Sequence, residues 1–401
     1  MFKMKKYNIS FIIILLIFIT NSIYAEWVKC NETESFYVLS LLTNQNTLYC
    51  GTLNGIYIST NTGLSWIHSG LYNGYIRSIK FNNSYVFAAT YVTGVFRSSD
   101  NGMNWSLTGL EQSPNALTVS GDDIYAGTDL TIWKSTDNGD NWVQTAINNK
   151  RVNSLAVNRP YVFASFEDTP GVYLTSNGGV NWIQALNNNY EYITLHTDSN
   201  NIYAGSYMHG IYYSSNNGSN WVDIGLPGLH IVTIITGGNY IFAASGYMFK
   251  SSDCGVHWET CNEGFPISEF SVHAFCISDN FLIAGTSQGI WRRPLSELIG
   301  IKIISSEVPV KFELYQNYPN PFNPTTKIKF DIPSEVRSRN FEVRLVIYDL
   351  LGKEVTSLVN GELKPGTYEV EWNASDFPNG VYFYRLTGEG FSESKKLIFI
   401  K

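Results

Sequence analysis

The sequence predicts an all-β protein: a seven-bladed β-propeller followed by a small C-terminal β-sandwich of immunoglobulin-like type. Three observations carry that prediction. An eight-residue stretch, Ser/Thr-x-Asp/Asn-x-Gly-x-x-Trp, recurs from Ser59, Ser98, Ser135, Thr175, Ser214 and Ser251. Its tryptophans, with Trp27 in phase before them, are spaced 39, 39, 37, 40, 39 and 37 residues apart, which is the period of a four-stranded blade. After Pro294 that beat stops, and alternating strands separated by Pro, Gly and Asn turns replace it.

Residues 1–25 read as a signal peptide. Lys3, Lys5 and Lys6 give a basic start, residues 11–19 are an unbroken apolar run, and Ser22-Ile23-Tyr24-Ala25 offers a cleavage site that meets the small-residue rule only in part. The apolar run falls short of the roughly 20 residues that a bilayer span needs, so no stable membrane span is expected. The propeller follows over residues 26–300. In its motif the Asp or Asn (Asn61, Asp100, Asp137, Asn177, Asn216, Asp253) accepts bonds from backbone N–H groups two residues on and holds a tight turn. The Gly (Gly63, Gly102, Gly139, Gly179, Gly218, Gly255) supplies the positive φ of a hairpin corner. The Trp (Trp66, Trp105, Trp142, Trp182, Trp221, Trp258) begins the next strand and packs its face on the turn.

A second landmark keeps the same beat. It is a small-residue pair, a short loop, then Gly-aliphatic-aromatic, as in Ala88-Ala89 to Gly94-Val95-Phe96 and Ala204-Gly205 to Gly210-Ile211-Tyr212. With small departures it occurs seven times, against six copies of the turn motif. Residues 26–30 supply a last strand with no blade before it, and the copy ending at Trp291 lacks a last strand. Together they make one blade, so the ring closes on its own N-terminal strand and leaves no exposed edge. The repeat resembles the Asp-box, or BNR, propellers, a group that includes sialidases, sortilin-like receptors and xyloglucanase-type glycosidases. The resemblance covers all seven repeats and implies the propeller fold. Asn replaces Asp in three copies and can make the same turn bonds.

Residues 301–311 read as a linker with one short apolar strand, and residues 312–401 as the sandwich. The sandwich opens on Tyr318-Pro319-Asn320-Pro321-Phe322-Asn323-Pro324, where proline density forbids a helix. Asp349-Leu350-Leu351-Gly352-Lys353, Gly366-Thr367-Tyr368 and Gly380-Val381-Tyr382 follow. In order and spacing these segments look like the type A C-terminal sorting domain of the type IX secretion system. The resemblance places the signal on Pro319, Asn320, Pro321, Asp349, Gly352, Lys353, Gly380 and Tyr382. It implies the secretion machinery and its surface sortase as partners, and a destination at the cell surface or outside the cell.

Composition narrows the function. The net charge is −7, and near −10 once the three lysines of the leader are removed. An acidic chain lacks the basic face that a phosphate backbone requires, so no nucleic-acid partner is expected. The five cysteines, Cys30, Cys50, Cys254, Cys261 and Cys276, form no compact disulfide framework, and Cys254–Cys261 is the one pair worth testing. No zinc spacing, phosphate loop or Ser-His-Asp pattern stands out, so neither metal nor cofactor is expected.

The loops opposite the turn motifs are where propellers hold ligands. Tyr91, Tyr192, Tyr207, His209 and Tyr247 are the expected ligand rim there, with Tyr72, Tyr75, Tyr190, Glu191, His230 and Glu269 beside them. A sialidase needs three arginines on its substrate carboxylate, and the propeller has only six arginines. Of these, Arg97 lies beside a turn motif on the wrong face, and Arg159 falls in the fourth repeat where that family's Arg-Ile-Pro start belongs in the first, so that activity is not expected. The expected role is a binding or scaffold module for an unknown surface glycan or protein, with no catalytic residues. The alternative is a polysaccharide hydrolase using Asp129, Glu167 and Asp168, whose carboxyl separation would mark its stereochemistry.

Overall fold

The computed structural model describes residues 26–401 except 73, 83, 168, 199–200, 239, 267–270, 299–300, 306–307, 334–340, 364, 376 and 389. The expected signal peptide lies outside the described residues. Seven four-stranded antiparallel sheets form the propeller. Their innermost strands are Val38–Asn44, Ile76–Phe81, Pro114–Ser120, Val152–Asn158, Tyr192–Asp198, Thr233–Gly237 and Val272–Ser278. The second strands, such as Val86–Thr90 and Asn201–Ser206, are almost wholly buried. They face apolar layers on both sides, as a blade between two neighbours must.

The hairpin corner is built as the motif demands, with two differences. Ser135 donates its hydroxyl proton to Asp137 (2.8 Å) and accepts from the Gly139 N–H (2.8 Å). Asp137 accepts from the Asn141 N–H (2.9 Å) and side-chain amide (2.8 Å). The bonded backbone group is therefore four residues on, not two, and the serine hydroxyl serves the nearer turn. Asn61, Asn177 and Asn216 accept the equivalent backbone bond at 3.0, 3.0 and 2.8 Å. The tryptophan stands one residue before the next strand instead of starting it. Its indole N–H turns back to the motif glycine carbonyl at Trp105, Trp142 and Trp221, each at 3.0 Å.

The ring closes through Val28–Lys29, which pairs with Gly289–Pro294 in the sheet of the last blade. Trp27 anchors that closure. It is buried, its indole N–H donates to the Cys261 carbonyl (2.7 Å), and its ring meets Phe265 edge-on. The five cysteines carry no disulfide, and this includes the Cys254–Cys261 pair. Cys254 is exposed on a motif turn while Cys261 is buried beneath Trp27.

Two further four-stranded sheets share one apolar core that includes Phe330, Leu345, Trp372, Tyr384 and Phe399. One of them contains Ile301–Ser305, paired with Gly366–Asn373. This corrects the linker expectation: the short apolar strand in residues 301–311 is an edge strand of the C-terminal domain. Sequence spacing hides it because its partner lies more than sixty residues away.

Two predictions follow from these contacts. Trp27→Ala removes a buried indole from the closure, and urea unfolding should show a loss of about 3–5 kcal/mol. The carboxyls of Asp100 and Asp137 are held down to about 2 by the backbone N–H of Asn104 or Asn141, then by that residue's side-chain amide and the serine hydroxyl. A group that titrates lower in the folded chain adds stability above its unfolded value and loses it as pH falls through the folded one. Acid titration of stability should therefore fall between about pH 4 and about pH 2. The Asp100→Asn/Asp137→Asn double variant should match wild type at pH 7 and fall less steeply in that window.

Candidate functional site

In five blades the loop between the second and third strands is tied to the residue that enters the first strand. Tyr91 N–H bonds to the Tyr75 carbonyl (3.0 Å), Glu167 to Arg151 (2.9 Å), Tyr207 to Glu191 (3.1 Å) and Ser287 to Ser271 (3.1 Å). These ties gather the loops on one face, opposite the motif turns, and fix which side chains meet there.

A continuous polar chain crosses that face. The Arg77 guanidinium carbon lies 4.1 Å from the centre of the Tyr91 ring, and Tyr91 stacks with Tyr75 at 5.9 Å. Arg77 also donates to Asn115 Oδ1. Asn115 donates to Asp129 Oδ1 (2.8 Å), and Arg151 Nε donates to the same oxygen (3.0 Å). Arg151 Nη1 then reaches Glu167 Oε2. Asn153, next along the ring, donates to Glu191 (3.3 Å) and to the Tyr192 carbonyl (3.2 Å). Burial lowers the basicity of Arg77, the like charge of Arg151 lowers it further, and Tyr91 and Asp129 oppose both. Burial works against the charge of Arg151 too, but Glu167 and then Asp129 outweigh it and its basicity is raised.

The aromatic residues expected at the rim divide. Tyr91, Tyr207 and Tyr247 are exposed. His209 is exposed and stacks face to face on Tyr190 at 3.7 Å, and Tyr207 packs near His230 at 5.0 Å. Tyr192 is not part of the rim. It is the first residue of its inner strand and points into the core between blades, fully buried, where its hydroxyl accepts from Asn188 (2.7 Å). A one-residue change of parity separates rim from core at a strand start. Asp168 and Glu269 lie outside the described residues.

Asp129 and Glu167 do come together, but on either side of one guanidinium. Arg77 and Arg151 stand on this face; Arg97 and Arg292 are taken up by motif turns at Asn138 and Thr62, and Arg293 by Glu263. Among the described residues no group of three or more His, Cys, Asp or Glu side chains could hold a metal ion. No helix of the described residues is long and apolar enough to cross a membrane.

In the C-terminal domain the motif residues are tied to the two-sheet core. Asn320 accepts from the Ile398 N–H (2.9 Å), and Phe322 exchanges backbone bonds with Ile398 and Ile400, so the segment containing Pro319 and Pro321 is strapped along the last strand. Asp349 accepts from the Leu351 (2.8 Å) and Lys353 (2.9 Å) N–H groups around Gly352 at φ 77°. Gly380 starts a core strand, and the Tyr382 hydroxyl donates to the Pro378 carbonyl (2.7 Å).

Comparison with known proteins gives two domain-level matches. Residues 155–289 match the DUF6242 beta propeller domain, and residues 316–401 match the secretion system C-terminal sorting domain. No curated protein matches the sequence. Among solved structures the chain is similar to YCF48 from Cyanidioschyzon merolae, at 15% identity and a TM-score of 0.56 over 67% of this chain and 98% of that one. A structure of YCF48 bound to D1 peptide matches at 15% identity and a TM-score of 0.55, over 68% of this chain and 96% of that one. The GH74 xyloglucanase from Xanthomonas campestris matches at 13% identity and a TM-score of 0.56, over 77% of this chain and 59% of the enzyme. At these identities the likeness is one of fold. The C-terminal domain is a type IX secretion sorting domain, and it marks the β-propeller it carries for export to the cell surface or beyond.

Proposed function

We infer that the exported propeller is a non-enzymatic binding module whose loop face takes a glycan or protein ligand outside the cell. The observation that carries this reading is the chain Tyr91–Arg77–Asn115–Asp129–Arg151–Glu167. It holds two guanidinium groups in place before any ligand arrives, which lowers the ordering cost of binding. Among the described residues Arg77 has only neutral partners in hydrogen-bond or ion-pair reach, so donors of its fork remain for a ligand acceptor. Exposed Tyr75, Tyr91, Tyr207 and Tyr247 add apolar faces that suit sugar rings or peptide side chains. A propeller of similar shape, YCF48, has been solved bound to a peptide.

The hydrolase reading rests on Asp129, Glu167 and the fold it shares with a xyloglucanase. Glycoside hydrolysis needs one carboxyl as acid and another as base or nucleophile, with the scissile oxygen between them. Here Arg151 fills the space between the two carboxylates, which favours recognition over hydrolysis.

A glycan and peptide binding screen on residues 26–401 tests the reading, with reducing-end release measured in parallel. Binding without release is expected, and Arg77→Ala or Tyr91→Ala should weaken it about tenfold or more. Release that disappears in Glu167→Gln would instead establish the hydrolase. For the tail, a chain ending at residue 300 should accumulate in the periplasm, because residues 301–305 belong to the sorting domain. Normal export of that truncation would refute the address.

A further inference from the structure

The inner strands of all seven blades wall a central channel of about 580 Å³. Its lining includes Arg77, Lys80 and His196 and no Asp or Glu, in a chain whose net charge is −7. A narrower section of about 330 Å³ is bounded by Lys80 and His196 with Thr118 and Thr197. The strand register shows why these residues meet. Lys80 pairs with Phe87 and His196 with Tyr203, the same position in the second and fifth blades. The other five blades place Leu42, Thr118, Ala156, Ile235 and Cys276 there. Lys80 is thus the one formal charge on that level of the ring.

Among the described residues the Lys80 ammonium has no hydrogen bond and no ion pair. Partial burial lowers its basicity, and the side chain stays partly open to the channel. His196 adds a neutral donor. Its Nε2 accepts from the Thr236 N–H (3.3 Å) and lies 2.9 Å from the Thr236 hydroxyl, so the ring proton sits on Nδ1. Burial, set against Asp198 and helped by Lys80, pulls His196 down to about 4, so it stays neutral at ordinary pH. The acid that it feels, Asp198, is already bonded to Asn201 (2.8 Å) and Tyr203 (3.4 Å).

We propose that this section of the channel is a binding site for a small oxyanion, held by the Lys80 ammonium and the His196 Nδ1–H with the Thr118 hydroxyl beside them; the Thr197 hydroxyl is already given to the Val157 carbonyl (2.8 Å). The channel lining holds no carboxylate to pair with this ammonium, and a bound anion would supply the missing charge-assisted hydrogen bonds. The site needs nothing from the loop-face ligand and stands whether that ligand is a glycan or a protein.

Calorimetric titration of residues 26–401 with inorganic phosphate tests it, with sodium acetate and glucuronate as separate arms for carboxylates. Wild type should bind one phosphate or one carboxylate per chain. Phosphate should also raise the Tm of the propeller transition by roughly 2–4 °C. Lys80→Met should abolish both effects. His196→Asn should weaken binding several-fold. Arg344→Gln, at a residue paired with Glu354 in the C-terminal domain, should leave binding intact, whereas Arg77→Gln, at the mouth, reads out an anion held on the loop face instead. If Lys80→Met binds as wild type does, if Arg77→Gln alone abolishes binding, or if neither phosphate nor a carboxylate binds, the proposal is overturned.

Discussion

The propeller depends on a row of glycines that sit where no side chain fits. A methyl group on Gly102 would lie 2.9 Å from Ile58, on Gly139 2.9 Å from Thr108, on Gly179 2.5 Å from Thr145, and on Gly255 2.6 Å from Ile224. In every case the obstructing atom belongs to the preceding blade. Each of these glycines also has φ between 87° and 92°. One residue therefore meets two demands: the hairpin corner needs left-handed backbone, and the neighbouring blade needs the space. At the closure the N-terminal strand completes the preceding blade, and Gly63 packs on Cys30, the residue that follows that strand. The turn motif is a device for packing blades side by side, which explains why it recurs without carrying chemistry.

This division of labour separates the two faces. On the motif face polar groups are spent on holding neighbouring blades together. Arg97 bridges to Asp140 (2.7 Å) and the Asn138 carbonyl, Asn82 donates to Asn138, and Asn158 donates to Asn217. On the loop face the corresponding groups connect to one another over the surface and leave aromatic rings uncovered. Variation between blades is tolerated there because the packing is settled elsewhere. The ligand-binding reading follows from that freedom as much as from any single residue.

Legibility in the sequence tracks the range of the interaction. The blades, their number and the ring closure come from a period that any copy of the motif reports, and six tryptophans report it together. The rim was legible only as a set of loops. Tyr207 and His209 follow from loop position alone, whereas Tyr192 sits one residue inside a strand and its direction depends on parity that a loop boundary does not fix. Arg77 and Arg151 stood out only as too few arginines for a sialidase. Their role depends on Tyr91, Asn115, Asp129 and Glu167, between 14 and 38 residues away, brought together by pairings between strands and between blades. The strand Ile301–Ser305 was hidden for the same reason.

The channel shows the limit of reading a repeat as a repeat. Averaging over blades emphasises what the copies share, and what they share here is packing. Lys80 and His196 stand at one shared position, and an average over seven blades would describe that position as apolar or small. Yet a closed ring brings every copy of that position to the same level of a single bore, where two departures face five conforming neighbours. A charge at that level is half-buried and faces the lining of a shared bore, where on an ordinary strand surface it would face open solvent. In such a fold the blade that breaks the pattern carries more information about ligands than the pattern itself, and the search for function belongs at the positions where the copies disagree.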